Sequence, residues 1–368
     1  MNFSEYTSKF RPDFGQIPFG NTDALVLCWL AFFNYPDYCD ETEMTPAEMT
    51  ARGLLPDEVM YKAAYRQRKS KKFFDRLTCS SRFGDIRLSR FTETRCADPS
   101  EQFAALCIGF GKEKYFVAFR GTDPSFTGWY ESFSLAYRYP VPSQSRAAEY
   151  LEKRMREHPD AEFYVGGISK GGNVAVYAAA SMDKNLQSRI TRIYDFDGPG
   201  FAYGLKNLRG YDKISDRVVK IVPKSSFVGM LFDDGMELLI TDSSAVSLLQ
   251  HNPFSWKIGG HDFIFRKKRT RFSSKLGKAV NDWINGIDEQ SREKFITIVR
   301  NALDTLDTDD FNVFFKSLHR QIPALYRQYK KLGEEDREFF AGIVGKLIRR
   351  VLRGKKLPAA KTGARKKQ

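Results

Sequence analysis

The chain has 368 residues, 42% of them apolar, with 31 Phe and 17 Tyr. That composition supports a large globular core and excludes a disordered chain; no stretch approaches the ~20 apolar residues of a membrane-spanning helix, and Met1 to Tyr6 has neither the basic nor the apolar segment of a secretory leader. The net charge is +14, but ten of the Lys and Arg residues fall between Lys346 and the end with no acid among them, so the body of the chain is only mildly basic.

Five cysteines (Cys28, Cys39, Cys79, Cys96, Cys107) show no spacing pattern, which predicts free thiols and a cytoplasmic location. Neither C-x-x-C nor H-E-x-x-H occurs, so no metal and no cofactor is expected.

In chain order, residues 1–20 are broken by Pro12, Gly15, Pro18 and Gly20 and read as irregular. Asn21 is placed to cap an apolar, buried helix from Thr22 to about Asn34. Thr45-Pro-Ala-Glu48 is a capping box with Pro at the first helical position. Leu55-Pro-Asp-Glu58 opens a longer helix to about Arg76, with Arg66, Arg68, Lys69, Lys71 and Lys72 on a solvated face. The sheet is expected to start after Pro99, with Phe103–Phe110 and Lys114–Phe119 as a hairpin-like pair around Gly111-Lys112. Ser125 to Tyr139 is rich in aromatic residues and reads either as a cap over a pocket or as a partly buried connection. Ser145 to Glu157 has helical spacing. Ile190–Asp197, Arg217–Val222 and Glu237–Thr241 read as further strands. From about Ser273 the pattern is helical only, ending in an amphipathic segment around Phe339–Val351.

Strands alternating with helices predict an α/β fold, a mainly parallel sheet with helices on both faces. The expected division is an N-terminal helical region over 1–98, an α/β core over 99–265, a helical extension over 266–353 and a disordered basic tail over 354–368.

The most informative stretch is Phe163-Tyr-Val-Gly-Gly-Ile-Ser169-Lys-Gly-Gly-Asn173. A short apolar run, glycines, a serine and then a helical Asn173–Ala180 segment match the strand–turn–helix pattern G-x-S-x-G. A serine in so tight a turn needs neighbours without side chains, and Gly167 and Gly171 supply them. The helix N-terminus beneath the serine favours a developing oxyanion. Ser169 is therefore the candidate nucleophile.

A serine needs a base, and the base a carboxylate, in the chain order Ser, acid, His. His251, in a loop after the last strand, is the expected base, with His261 as the alternative. His158 precedes the serine and reads as exposed; His319 falls in the helical extension. For the acid, Asp197 ends a strand before Gly-Pro-Gly. Asp233 stands second, and Asp234 and Asp242 also remain open, while Asp195 lies deeper on the face of Asp197. The Lys170 N–H is one expected oxyanion donor, and Arg120-Gly-Thr122 is placed to give the other, with the Thr122 hydroxyl as a third. Arg120 itself is expected in a structural ion pair.

Phe119-Arg-Gly-Thr122 followed by Trp129, then Gly-x-Ser-x-Gly, resembles the class 3 (triacylglycerol) lipase pattern. Closer still is the resemblance to a bacterial α/β-hydrolase family termed Mbeg-like. It is carried by blocks at Thr22–Leu27, Phe119–Asp123, Ser169–Asn173 with Ala175–Ala178, Phe196–Phe201, Val222–Leu231 and Gln250–Trp256. The resemblance implies an α/β-hydrolase fold with Ser169 as nucleophile, Thr122 at the oxyanion hole and His251 as base. Two departures stand out. Ile168 replaces the His usual before the serine, and Lys220 occupies the place of the class 3 lipase acid, so that acid does not carry over.

The expected activity is a serine hydrolase for carboxylic esters, lipase- or esterase-like, acting on a small-molecule or lipid ester. Residues 126–139 and Met230-Leu-Phe232 are expected to line an apolar acyl pocket. The alternative is a catalytically inactive scaffold on the same fold. For the basic terminus, residues 346–368, a solvated tail is the default and peripheral contact with an anionic membrane the further expectation; no specific nucleic acid is expected, since charge alone is no recognition motif.

Overall fold

The computed structural model describes residues 1–35, 42–54, 67–232 and 234–353. Among the described residues four helices come first: α1 (Phe3–Lys9), α2 (Asn21–Leu30), α3 (Pro46–Ala51) and α4 (Gln67–Thr78). Thr45 and Glu48 make the reciprocal bonds of the capping box at α3. Phe73, Phe74 and Leu77 of α4 face the core while Arg68, Lys69, Lys71 and Lys72 face out. The predicted start of that helix at Leu55, and Arg66 on its basic face, lie outside the described residues.

Helix α2 is buried along nearly its whole length, as its apolar sequence requires, but Asn21 is not its cap. Gly20 occupies that position, and the Asp23 carboxylate accepts the Gly20 N–H at 2.9 Å. An acid three residues into the helix thus does the capping, and the Asn21 amide instead donates to Asp262 at 3.0 Å. The other Asp23 contacts are a buried ion pair with Arg82 at 2.7 Å and the Tyr6 hydroxyl at 2.9 Å.

The sheet starts earlier than predicted, at β1 (Arg87–Cys96), and Pro99 lies in the connection to β2 (Glu101–Gly109). β1 is an edge strand with mostly polar residues and burial confined to Leu88, Ser89 and Phe91, so it lacks the apolar run that marks an inner strand. The expected boundary at residue 98 therefore falls inside a hairpin. There follow β3 (Lys114–Phe119), α5 (Phe126–Ser134), α6 (Pro142–Glu157), β4 (Glu162–Ile168), α7 (Lys170–Ser181), α8 (Lys184–Ser188), β5 (Ile190–Phe196), β6 (Val218–Pro223) and β7 (Leu238–Thr241). A two-residue pair, β8 (Ile258–Gly259) and β9 (Asp262–Phe263), precedes the edge strand β10 (Phe265–Arg266).

The eight-stranded sheet runs in the order β1-β2-β3-β4-β5-β6-β7-β10. β3 to β7 are mutually parallel, and β1, β2 and β10 join antiparallel. The period-2 alternation of a strand is plain in β2. Ala104, Leu106 and Ile108 enter the core under α1, α2 and α4, while Phe103, Ala105 and Cys107 enter the core under α6 and α7.

Five C-terminal helices complete the described chain: α9 (Arg271–Asn285), α10 (Glu289–Leu303), α11 (Phe311–Lys316), α12 (Leu318–Lys331) and α13 (Glu334–Arg353). α13 packs on α9 and α10, with Trp283 Nε1 donating to the Ile343 carbonyl at 3.0 Å and Phe295 stacked on Phe340. The extension is tied to the core by backbone as well as side chains. The Phe126 N–H donates to Asp309 O at 2.7 Å, and the Phe311 N–H to Pro124 O at 2.8 Å. The expected boundary at 265/266 cuts β10, and the expected tail from residue 354 lies outside the described residues.

Candidate active site

β4 ends at Ile168 and α7 begins at Lys170, leaving Ser169 alone in the turn with φ 60° and ψ −131°. A positive φ is strained for a residue with a side chain. The turn is held by the Ser169 N–H on Phe196 O and the Gly172 N–H on Ser169 O, both at 2.9 Å. The sterics behind the motif are direct: a Cβ on Gly167 would sit 2.3 Å from the Gly171 backbone.

Ile168 and Phe196 are register partners on neighbouring parallel strands, so Ser169 and Asp197 leave adjacent strand tips side by side. Asp197 is buried and also has a positive φ, 56°. Its Oδ2 lies 2.8 Å from Nδ1 of the half-exposed His251. Its Oδ1 accepts from the Ser226 hydroxyl and, at 3.2 Å, from the Gly229 N–H. With Nδ1 against the carboxylate, Nε2 is the imidazole nitrogen left for chemistry. Among the described residues neither Nε2 nor the Ser169 hydroxyl makes a hydrogen bond. Such bonds often close only when substrate binds.

The turn carrying His251 is built by its neighbours. Gln250 Oε1 accepts the Ser225 N–H at 3.0 Å, Gln250 Nε2 donates to Ala245 O at 3.0 Å, and Trp256 Nε1 donates to Gln250 O at 2.7 Å. Phe254, two residues further on than Asn252, is anchored between Phe3 and Trp29.

The other candidate acids among the described residues are engaged elsewhere. Asp195 forms a buried ion pair with Lys220 at 3.0 Å and accepts the Gly198 N–H. Burial pulls the Lys220 ammonium down, but the Asp195 and Asp234 carboxylates outweigh it and hold its pKa above the ordinary lysine value. Lys220, at the place of the class 3 lipase acid, is thus the partner of an internal carboxylate. Burial pushes Asp242 up, but bonds from Lys224, Arg266 and Lys257 hold its carboxyl well below the usual range. Asp234 accepts the Phe201 and Met236 N–H groups. Asp233 lies outside the described residues. Of the other histidines, His261 and His319 are exposed, and His158, expected exposed, is partly covered by stacking on Tyr115 at 4.0 Å.

The loop after β3 abuts the serine turn. A Cβ on Gly121 would lie 2.3 Å from Ile168 O and 3.2 Å from Ser169 Cβ. Among the described residues the N–H groups of Thr122 and Lys170 make no hydrogen bond; Lys170 opens α7, where no carbonyl lies a turn behind. The Thr122 hydroxyl is not a spare donor, since it pairs with Ser132 Oγ at 2.6 Å. Arg120 is buried and structural: it pairs with Glu93 at 2.8 Å and donates to Ala31 O, Phe33 O and Asn34 Oδ1.

Two features were not anticipated. The Lys170 side chain turns inward to a buried ion pair with Glu131, and Glu131 also accepts the Gln102 and Ser143 N–H groups. That pair ties α5, which follows the Thr122 loop, to the helix that follows Ser169; a lone acid inside an aromatic helix was its only sequence signal. The aromatic residues of α5 do not line an acyl pocket as expected. Phe126 and Tyr130 are buried with Leu303, Phe311 and Phe314, and Trp129 packs on Phe311 at 4.8 Å, because the C-terminal helices cover that face. Among the described residues no group of three or more His, Cys, Asp or Glu is placed to hold a metal ion.

A mainly parallel sheet with a strained serine between a central strand and its helix, and an imidazole–carboxylate pair at the same end, defines an α/β-hydrolase-type fold. The Mbeg1-like family model matches residues 77–300, and the chain belongs to that family.

Solved structures similar to the chain include M37 lipase, with 16% identity over 56% of this chain and 68% of that one, TM-score 0.34. Others are lipase II from Rhizopus niveus, with 15% identity, 55% and 82% coverage and TM-score 0.31, and the Rhizomucor miehei lipase propeptide complex, with 13% identity, 65% and 78% coverage and TM-score 0.34. These are remote matches, and the fold rests on its own topology. No curated protein matches the chain in sequence.

Proposed function

We propose that this protein is a serine hydrolase of carboxylic esters, lipase- or esterase-like, working through an acyl-enzyme on Ser169. The observation that carries the reading is the 2.8 Å contact between His251 Nδ1 and the buried Asp197 carboxylate, at the strand tip beside the serine turn. In this reading Ser169 Oγ attacks the ester carbonyl carbon as His251 Nε2 takes its proton. Asp197 holds the imidazole in one tautomer and offsets the charge of the imidazolium. The Thr122 and Lys170 N–H groups donate to the oxyanion. Collapse breaks the C–O bond, and the imidazolium returns the proton to the departing alkoxide. A water, deprotonated by His251, then cleaves the acyl-enzyme.

A fluorophosphonate probe tests this. The folded protein should label, and Ser169→Ala should not. Folded protein that fails to label, or labelling unchanged in Ser169→Ala, would sink the reading.

The open hydrogen bond between Ser169 and the imidazole favours a second reading, an inactive hydrolase-fold scaffold. The same probe separates the two, since a scaffold keeps the fold and leaves Ser169 unlabelled.

A further inference from the structure

The end of the sheet that carries Ser169 and His251 also carries a surface that the proposed chemistry does not use. On the turn leading into His251, Val246, Leu248 and Leu249 are 70%, 59% and 60% exposed. Residues 264–275 add Ile264, Phe265 and Phe272, the last 57% exposed. The same segment holds six cations (Arg266, Lys267, Lys268, Arg269, Arg271, Lys275) and no Asp or Glu. Both segments are fastened to Lys224-Ser225, just past β6. The Ser225 N–H bonds Gln250, the Thr270 N–H donates to Lys224 O at 2.8 Å, and the Ser225 and Thr270 hydroxyls meet at 3.0 Å. The aliphatic turn and the cationic segment therefore border one face.

Its charge is largely uncompensated. Asp242 takes up Lys224, Lys257 and Arg266 and is itself buried. Lys267, Lys268, Arg271 and Lys275 are exposed and form no ion pair among the described residues. Asp262, the one acid between Ser243 and Lys275, is hydrogen-bonded to Asn21. Clustered exposed aliphatic side chains mark a contact surface, and the cations around them select an anionic partner. Single-stranded nucleic acid is read mainly by aromatic stacking; Phe265 and Phe272 are the aromatic rings exposed on this face, and Val246, Leu248 and Leu249, its most exposed apolar cluster, offer no stacking. Insertable apolar side chains ringed by Lys and Arg are what hold a protein on an anionic bilayer.

We propose that this face docks on an anionic phospholipid bilayer. Val246, Leu248, Leu249 and Phe272 enter the boundary between headgroups and acyl chains, and Lys267, Lys268, Arg271 and Lys275 meet the lipid phosphates. The serine-hydrolase reading supplies only the consequence: docking sets the His251 turn against the lipid, so an ester held in the bilayer reaches Ser169 directly. None of the residues of this surface belongs to the basic stretch 346–368.

Flotation of the full-length chain with vesicles of phosphatidylcholine, with and without phosphatidylglycerol, tests the proposal. Binding should require phosphatidylglycerol. It should weaken roughly tenfold or more in Lys267→Glu/Lys268→Glu, and weaken also in Leu248→Ser/Leu249→Ser, with thermal melting unchanged in both. Equal binding to the two vesicle types, or binding untouched by both variants, overturns it, the latter moving the contact to the C-terminal tail. Displacement from vesicles by an oligonucleotide, with Leu248→Ser/Leu249→Ser binding that oligonucleotide like the parent, overturns it in favour of nucleic acid. Fluorophosphonate labelling without vesicles should be the same in Lys267→Glu/Lys268→Glu and the parent. Vesicle binding without labelling removes the enzyme and leaves the docking face; labelling without vesicle binding does the reverse.

Discussion

The Asp197 carboxylate and the His251 imidazole, 54 residues apart in the chain, meet at 2.8 Å. The carboxylate is buried, and its second oxygen is held by Ser226 and Gly229. A buried carboxylate with both oxygens engaged cannot swing away, so it fixes which imidazole nitrogen is left for chemistry. Asp197→Asn should leave the fold in place and present the wrong tautomer. We expect kcat for an activated ester to fall about 10³–10⁴-fold, with fluorophosphonate labelling slowed in parallel. A loss below tenfold would remove Asp197 from the proposed triad.

Gly121 is where the Thr122 loop touches the serine turn. In Gly121→Ala the new methyl would meet Ile168 O at 2.3 Å and Ser169 Cβ at 3.2 Å, so the loop must retreat. Losing one oxyanion donor costs about 10²-fold or more in kcat, with KM changed far less. Steady-state kinetics on a short-chain ester checks the split, and a change confined to KM would place the oxyanion site elsewhere.

Glu131 and Lys170 are a buried pair beneath the candidate site. Glu131→Gln leaves an ammonium uncompensated in the interior, and breaking such a pair costs about 3–5 kcal/mol. Urea denaturation should show that loss, and Glu131→Gln/Lys170→Met should recover much of it, since two neutral side chains leave no orphaned charge. A double variant as unstable as the single one would mean that the Gln102 and Ser143 N–H contacts of Glu131, rather than its ion pair, carry the stability.

Burial pushes the Cys107 thiol from its ordinary value of 9.0 up to about 12, and pushes Cys28 up as well. The unfolded chain then sheds the Cys107 proton near pH 9 while the native chain keeps it. The stabilisation is complete below pH 9 and is lost as the pH climbs towards 12. Thermal melts of wild type should fall more steeply over that window than those of Cys107→Ala. At pH 9 a disulfide-exchange reagent should titrate the exposed Cys79 in the native protein and reach Cys28 and Cys107 only on unfolding.

Much of the architecture was legible because it is local. Gly167 and Gly171 around Ser169 mark the turn through sterics within five residues. The inner strands show themselves as apolar runs, and the Thr45–Glu48 box needs only one helical turn. What was misread depended on distant partners. β1 is polar because it is an edge, and its strand state comes from pairing with β2. Asn21 has the chemistry of a cap but is drawn to Asp262, 241 residues away. The aromatic residues of α5 advertise an apolar surface without saying what covers it, and Phe311 and Phe314 cover it.

The candidate acid divides the two kinds of information most clearly. By itself the chain determined the parallel α/β order, the strained serine and a short list of carboxylates and imidazoles arriving after it, since propensity, turn chemistry and periodicity act over a few residues. Only the tertiary structure decided that Lys220 takes Asp195, that three cations take Asp242, and that Asp197 is left facing His251. Those pairings follow from the β5–β6 register and from a turn anchored by Gln250 and Trp256. A carboxylate's partner depends on which charges packing brings within a few ångströms, and that distance is not written in sequence separation.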